Sequence, residues 1–127
     1  MSTQLETWSV KPVVVIVDDD PAICGSLAFS LQTEGFAVRS YATGTQLLRD
    51  LITDAACLVI DYHLPGMNGL ELLAELRRRR VTAPAILITT HPSAAVQKRA
   101  AAAGAALVEK PLLGDALFDE IRGALGA

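Results

Sequence analysis

The sequence predicts a doubly wound α/β fold, in which a parallel sheet of five strands is covered by helices on both faces. Short apolar runs alternate along the chain with segments whose apolar residues recur at helical spacing. The first, third and fourth runs are apolar almost throughout, which is typical of parallel strands buried on both faces. Most glycines and prolines fall between these elements, where turns are expected.

Five apolar runs have the length and the β-branched content of strands. In chain order they are Val13–Val17, Ala37–Tyr41, Cys57–Asp61, Ala85–Thr89 and Ala106–Lys110. Because each is followed by a helical segment, the strands are expected to run parallel, with a crossover helix after each strand.

The segments between the strands place apolar residues three or four positions apart, so each helix can lay one face on the sheet. The stripes are Ile23, Leu27 and Leu31; Leu47, Leu51 and Ile52; Leu70, Leu73 and Leu76; and Leu117, Ile121 and Leu125. The fourth helix, Ser93–Ala103, consists mostly of alanine, which favours helix but buries little area. This helix is therefore expected to dock weakly and to be mobile.

Length and composition indicate one globular domain. The chain has 127 residues, of which 51% are hydrophobic and 20% are charged, and its length falls in the range of a single domain. No apolar run reaches the ~18 residues that span a bilayer, and the first residues lack the features of a signal peptide. We expect a flexible extension over residues 1–12, one domain over residues 13–127, and a cytoplasmic location.

Charge argues against nucleic acid and membrane partners. The net charge is -3, and the one basic run, Arg77–Arg80, falls at the end of a predicted helix. Cations there complement the negative end of the helix dipole. We therefore expect a solvated helix end rather than a binding site for an anion.

The residues at the carboxyl ends of the predicted strands belong to a narrow chemical set. Ligands of open α/β sheets bind beyond these strand ends. The side chains are acidic, hydroxylic or cationic: Asp18, Asp19 and Asp20 after the first strand, Asp61 on the third, Thr89 and Thr90 on the fourth, and Lys110 on the fifth.

Clustered carboxylates raise one another's pKa values unless a cation neutralises them, so a hard oxygen site for Mg2+ or Mn2+ is expected. With a metal bound, one carboxylate can attack phosphorus while a lysine and a hydroxyl hold the phosphoryl oxygens. Taken singly, each residue also has a structural explanation, since Asp20 before Pro21 is typical of a helix N-cap. Their coincidence at strand ends is what favours a site for phosphoryl transfer.

Four motifs occur in order along the chain: VDDDP, VIDYHLPGMNGLELL, ILITT and EKP. Together they resemble the receiver domain of bacterial two-component response regulators, over about residues 13–125. The resemblance implies a flavodoxin-like (βα)5 fold with strand order 2-1-3-4-5. It also implies a signalling phosphoacceptor rather than an enzyme, whose only catalysis is its own phosphorylation and dephosphorylation.

The same resemblance assigns the metal site. Asp19 would bind Mg2+ directly, Asp18 would act largely through water, and Asp61 and the backbone carbonyl of His63 would complete the set. Asp61 would be the phosphoacceptor.

The phosphoryl group would come from the phosphohistidine of a sensor histidine kinase or a phosphotransfer protein. Thr89 and Lys110 would bind its oxygens. Phosphorylation would then change the surface of the fourth helix, fifth strand and fifth helix. That surface would serve a downstream protein target or a phosphorylation-dependent homodimer.

Some positions depart from the family pattern or modulate it. Leu107 stands where receivers usually carry an aromatic or histidine ring that moves inward on activation, and Thr90 stands where a small residue is usual. His63 and His91 lie two residues beyond Asp61 and Thr89, at positions that rim the phosphate in the family. We hypothesise that these histidines set the phosphate lifetime. The alternatives are two solvent-facing loop histidines or a pair of transition-metal ligands.

Two other functions are compatible with parts of the sequence. Asp18 and Asp20 form an aspartate-x-aspartate like that of haloacid-dehalogenase-type phosphatases, which would place phosphate on Asp18. Ala22 stands where that pattern has Thr or Val, and Asp61 would be left unexplained. The second alternative is a binding module that keeps the receiver fold and signals without phosphate, for which Leu107 and Thr90 are the only indications.

Overall fold

The computed structural model describes residues 11–50, 52, 54–112 and 115–126. Within them, five parallel strands form one sheet in the order β2-β1-β3-β4-β5, as predicted. The strands are β1 (Val13–Val17), β2 (Ala37–Tyr41), β3 (Ala55–Asp61), β4 (Ala85–Thr89) and β5 (Ala106–Glu109). The helices are α1 (Pro21–Thr33), α2 (Gly44–Arg49), α3 (Gly69–Arg78), α4 (Ala94–Ala102) and α5 (Ala116–Ala124).

Alternate residues of the strands face opposite sides of the sheet and build two apolar layers. On one side, Val15, Val17 and Leu87 pack with residues of α2, α3 and α4. On the other, Ile16 and Val59 pack with residues of α1 and α5. Helices therefore cover both faces, which confirms the doubly wound arrangement.

Several predicted boundaries differ from the structure, among them those of the fourth helix, which is one residue shorter at each end than Ser93–Ala103. β3 begins two residues earlier than predicted, at Ala55, which pairs with Val13 of β1. β5 ends at Glu109, so Lys110 directly follows the strand although its amide still donates to the Thr89 carbonyl at 2.7 Å. These shifts leave the predicted strand-end residues at the carboxyl edge of the sheet.

A further difference concerns α2, which ends at Arg49 and does not continue through the predicted stripe of apolar residues. Asp50 adopts an extended backbone with ψ of 149°, and its carboxylate accepts a hydrogen bond from the Tyr41 hydroxyl at 2.6 Å. Ile52 is still buried and packs in the apolar layer that contains Val15 and Leu87. Leu51 lies outside the described residues.

The basic run at the end of α3 is largely the solvated helix end that was predicted, because Arg78, Arg79 and Arg80 are exposed. Arg78 is largely exposed, as expected. Arg77 instead donates to the carbonyls of Val81 and Ala83, at 2.8 and 2.7 Å, and Arg79 donates to a carbonyl of α2 at 2.9 Å. Two of the four arginines are therefore committed to carbonyls that the turn and the end of α2 would otherwise leave unpaired.

None of the helices in the described residues is both long enough and apolar enough to cross a bilayer. The predicted extension over residues 1–12 lies outside the described residues except for its last two positions.

Candidate functional site

Three carboxylates meet at the carboxyl edge of the sheet, where β1 and β3 lie side by side. The chain leaves β1 towards β2 on one side and returns to β3 on the other, so this edge is the topological switch point where ligands bind. Carboxylate oxygens of Asp18, Asp19 and Asp61 all lie within 4.8 Å of one another. The predicted acidic site is thus assembled by the pairing of β1 with β3.

Burial separates these carboxylates. Asp18 and Asp61 expose only 1% and 3% of their surface, whereas Asp19 is exposed. The Lys110 ammonium lies between the buried pair, with Nζ 3.2 Å from Asp18 Oδ2 and 3.3 Å from Asp61 Oδ2. One cation therefore faces two buried anions, which leaves the site with an excess negative charge.

That imbalance is visible in the ionisation of the site. Burial raises the pKa of Asp61, and the nearby Asp18 charge raises it further, while Lys110 and the His63 amide act in the opposite direction. Burial alone would lower the pKa of Lys110, but the charges of Asp61 and Asp18 raise it overall. The ammonium is thus held in its charged form by the same two carboxylates that it only partly neutralises.

The residues present fit a hard divalent cation. Asp18 Oδ2 is enclosed and accepts no hydrogen bond of acceptable geometry from the described residues, although the Lys110 ammonium is 3.2 Å away. Because ionic attraction is less directional than a hydrogen bond, this contact is an ion pair that leaves the oxygen unsatisfied. An unsatisfied buried oxygen beside two further carboxylates is a donor set suited to Mg2+.

Asp20, the third acid of the VDDDP motif, has a structural role. It is the N-cap of α1, and its side chain accepts a hydrogen bond from the Ala22 amide at 2.9 Å, with Pro21 at the first helical position. Its own amide donates to Asp18 Oδ1 at 2.9 Å. The cap therefore begins α1 and orients the buried carboxylate in a single turn.

Strand β3, which ends at Asp61, runs into a tightly fixed loop. The Tyr62 amide donates to the Ile88 carbonyl at 2.9 Å, and the Tyr62 carbonyl accepts from the Gly69 amide at 2.8 Å. The His63 amide donates to Asp61 Oδ1 at 3.2 Å. Hydrogen bonds therefore fix the backbone that follows Asp61 to both β4 and the start of α3.

The start of α3 packs directly against this loop. Asn68 and Glu71 form a reciprocal capping box, which fixes the helix start. A Cβ atom on Gly69 would lie 2.7 Å from the carbonyl oxygen of Asp61 and 3.0 Å from Cα of Tyr62. Glycine is required here by close backbone packing.

The remaining predicted site residues differ in burial and in the contacts that they make. Thr89 is buried, and its hydroxyl is 3.3 Å from the Thr90 carbonyl, a long hydrogen bond, while Thr90 is exposed and Leu107 is half-buried. His63 is exposed and packs its ring edge-to-face with Tyr62. His91 is 95% exposed and lies 3.8 Å from Glu109. Within the described part of the chain, neither imidazole forms an ion pair or hydrogen bond with the carboxylates of Asp18, Asp19 and Asp61.

One contact near Asp61 was not predicted. Arg99 Nη2 on α4 donates to the Tyr62 hydroxyl at 3.4 Å, across 37 positions of sequence. Neither residue is among the predicted site residues at the strand ends. In the sequence, the position of Tyr62 directly after Asp61 was the only indication of this contact. That position does not identify Arg99 as the partner.

The fold and the site together define a class of protein: doubly wound α/β domains with an acidic phosphoacceptor pocket at the switch point of the sheet. Residues 14–122 match the family described as the response regulator receiver domain. This chain belongs to that family, whose members are signalling proteins. The phosphatase and the phosphate-independent module are correspondingly not favoured.

Individual relatives agree with the assignment. FixJ, a transcriptional regulatory protein of Azorhizobium caulinodans, is 36% identical over 115 residues, which is 89% of this chain and 54% of that protein. DctD, a C4-dicarboxylate transport transcriptional regulatory protein of Pseudomonas aeruginosa, is 35% identical over 93% of this chain and 26% of its own length. This chain thus spans about half of FixJ and about a quarter of DctD.

A solved structure shows the same fold. The CheY-like response regulator receiver domain protein from Methanospirillum hungatei superposes with a TM-score of 0.84 and 30% sequence identity. The match covers 92% of this chain and 95% of that one. The likeness therefore extends over the whole sheet and its covering helices.

Proposed function

We propose that this chain is a phosphorylation-controlled switch in which Asp61 accepts the phosphoryl group. The observation that supports this role most strongly is the Lys110 ammonium held between two buried carboxylates, Asp18 and Asp61. A lysine in this position can move from a carboxylate to a phosphoryl oxygen without leaving the site. Asp61 ends a central strand and is the carboxylate that the loop fixes through the His63 amide.

In the proposed reaction, an Asp61 oxygen attacks phosphorus while the bond from phosphorus to the donor's imidazole nitrogen breaks. Asp18, Asp19, Asp61 and the His63 carbonyl would hold Mg2+, which supplies positive charge that lets one anion approach another. Lys110 would bind one phosphoryl oxygen. The Thr89 hydroxyl would bind another, because its present hydrogen bond of 3.3 Å is weak enough to exchange.

The partners follow from this chemistry as proposals. The donor is a sensor histidine kinase or a phosphotransfer protein, in the cytoplasm, and the output is a protein target that binds the surface of α4, β5 and α5. A phosphorylation-dependent homodimer would use the exposed cations Lys98 and Arg99 of α4 against acids of α5. The relatives named above are transcriptional regulators, so the absence of direct nucleic-acid contact stays a prediction for residues 13–127 alone.

Metal removal tests the proposal. With acetyl phosphate and Mg2+, intact mass spectrometry is expected to show the gain of one phosphoryl group, and chelation by EDTA is expected to reduce the initial rate at least about 100-fold. The reason is that Lys110 alone does not neutralise the carboxylate cluster. Equal rates with and without EDTA would contradict a metal-dependent reaction, and no gain in either would contradict phosphoacceptance.

We further propose that His63 and His91 shorten the phosphate lifetime by orienting water. Replacing both with alanine is expected to slow dephosphorylation by about fivefold or more. The measurement is loss of the phosphoryl group by intact mass after acetyl phosphate is removed. Arg49→Ala, which removes an exposed cation on α2, is the control, and a rate in the double variant equal to that of this control would contradict the proposal.

A further inference from the structure

Helix α4 is held to the rest of the domain by little apolar area. Only Val96 and Ala100 of this helix are buried, and both side chains are small. An open surface depression of about 390 Å³ lies beside the helix, lined by Ala100, Ala105 and Leu107 among others. Small side chains bury little apolar area, so α4 gains little stabilisation from its contact with the sheet.

One polar contact ties this helix to another element. Within the described residues, the hydrogen bond from Arg99 Nη2 to the Tyr62 hydroxyl, at 3.4 Å, is the one side-chain hydrogen bond that joins α4 to a different part of the fold. The remaining side-chain bonds of α4 are its Ser93 cap and a contact from Gln97 to the Pro92 carbonyl. Among the described residues, this exposed hydrogen bond is thus the specific polar link between α4 and the residue after Asp61.

Tyr62 is in turn linked to Asp61, the proposed acceptor. It directly follows Asp61, and its amide and carbonyl are both engaged, with Ile88 and Gly69. Its ring also contacts the ring of His63, with centroids 4.9 Å apart, and the His63 amide donates to Asp61 Oδ1. A change at this carboxylate oxygen is therefore transmitted to the His63 backbone through its amide. The contact between the two rings then transmits it from His63 to Tyr62.

We propose that the contact between Arg99 and Tyr62 is a latch that holds α4 against the acceptor loop while Asp61 is unphosphorylated. Phosphorylation, which changes the Asp61 oxygen that receives the His63 amide, shifts the Tyr62 ring and opens the latch. This inference rests on the proposed function, since it takes Asp61 as the acceptor. It also assigns a positioning role to Tyr62. This chain carries Leu107 at the position where receivers usually carry an aromatic or histidine ring.

Hydrogen exchange of the α4 amides tests the latch without phosphate. Tyr62→Phe removes the hydroxyl and keeps the ring, and Arg99→Gln removes the guanidinium and keeps part of the stem. Each substitution is expected to speed exchange of the α4 amides by about two- to fivefold. The double variant is expected to exchange no faster than either single variant, because both remove the same interaction.

In the unphosphorylated protein, where the proposed phosphorylation-dependent homodimer does not form, Lys98→Gln is the matched control, since it removes an exposed cation from the neighbouring position of the same helix. Its α4 amides are expected to exchange at the wild-type rate. Wild-type rates in Tyr62→Phe and Arg99→Gln would overturn the latch. So would effects of the two substitutions that multiply in the double variant.

The opening step is tested with Mg2+ and a beryllium fluoride complex, which mimics a phosphoryl group on aspartate. Its addition is expected to raise α4 exchange in the wild type to the level of the variants and to abolish the difference between them. If the complex binds and wild-type α4 exchange does not change, the switching role is overturned. If it does not bind but the variants still differ, the proposed function fails and the contact is only a structural tether.

Discussion

Replacing Asp61 with asparagine is expected to abolish phosphorylation of this chain. The amide is neutral and has no anionic oxygen to attack phosphorus, while the side chain keeps its shape and can still accept the His63 amide. The expected loss is complete within detection, because the proposed reaction gives the other members of the cluster a role in holding the cation and none in attacking phosphorus. The measurement is intact mass after incubation with acetyl phosphate and Mg2+, compared with wild type.

Asp20→Asn is the control that separates this result from a general effect of losing an acid near the metal. Asparagine caps helices as well as aspartate does, so the α1 cap to the Ala22 amide should persist. Phosphorylation of this variant is expected to stay within about threefold of wild type, since it retains the buried carboxylates.

The Asp61→Asn variant also tests the phosphatase alternative, in which Asp18 and Asp20 act and Asp61 does not. That alternative requires a phosphoryl gain that survives in Asp61→Asn, because it places phosphate on Asp18. Observation of this gain would contradict the assignment of Asp61 as acceptor. The structure disfavours it because the Asp20 carboxylate is engaged in capping α1.

The sequence was sufficient to predict which residues gather at the site, because a parallel sheet brings all carboxyl strand ends to one edge. Asp18, Asp61 and Lys110 could therefore be placed together without knowing any distance. The separation of Asp20 from the site was also predictable, since an acid before proline is typical of a helix start. Both conclusions depend on local patterns and on a topology that permits few alternatives.

Contacts that depend on side-chain conformation or distant packing were not predictable in the same way. The position of Arg77 and Arg79 at a helix end does not predict that their long side chains also donate to carbonyls beyond the helix. At the early end of α2, Asp50 accepts a hydrogen bond from Tyr41, which the apolar stripe does not encode. Apolar periodicity describes which face is buried, and says nothing about where polar side chains find partners.

Replacing Gly69 with alanine is expected to destabilise the protein by roughly 1–3 kcal/mol. The new Cβ would be 2.7 Å from the Asp61 carbonyl oxygen and 3.0 Å from Cα of Tyr62, and both are backbone atoms that no rotamer change can move. The hydrogen bond from the Gly69 amide to Tyr62 holds the two segments together at 2.8 Å. Relief of the clash must therefore shift the acceptor loop or lengthen this bond. Urea denaturation of the unphosphorylated protein measures the loss.

Gly25→Ala is the matched control, because a Cβ on Gly25, inside α1, would have no neighbour within 4 Å. There alanine's better helix propensity acts alone and is expected to stabilise by about 0.5–1 kcal/mol. Gly69 is also in a helix, at the first position of α3, so propensity predicts no large loss for its alanine variant. Opposite signs for the two substitutions would show that close packing against the Asp61 carbonyl decides the effect at Gly69. A neutral or stabilising Gly69→Ala would mean that the acceptor loop can yield without cost, and the fixed position of Asp61 would then need another cause.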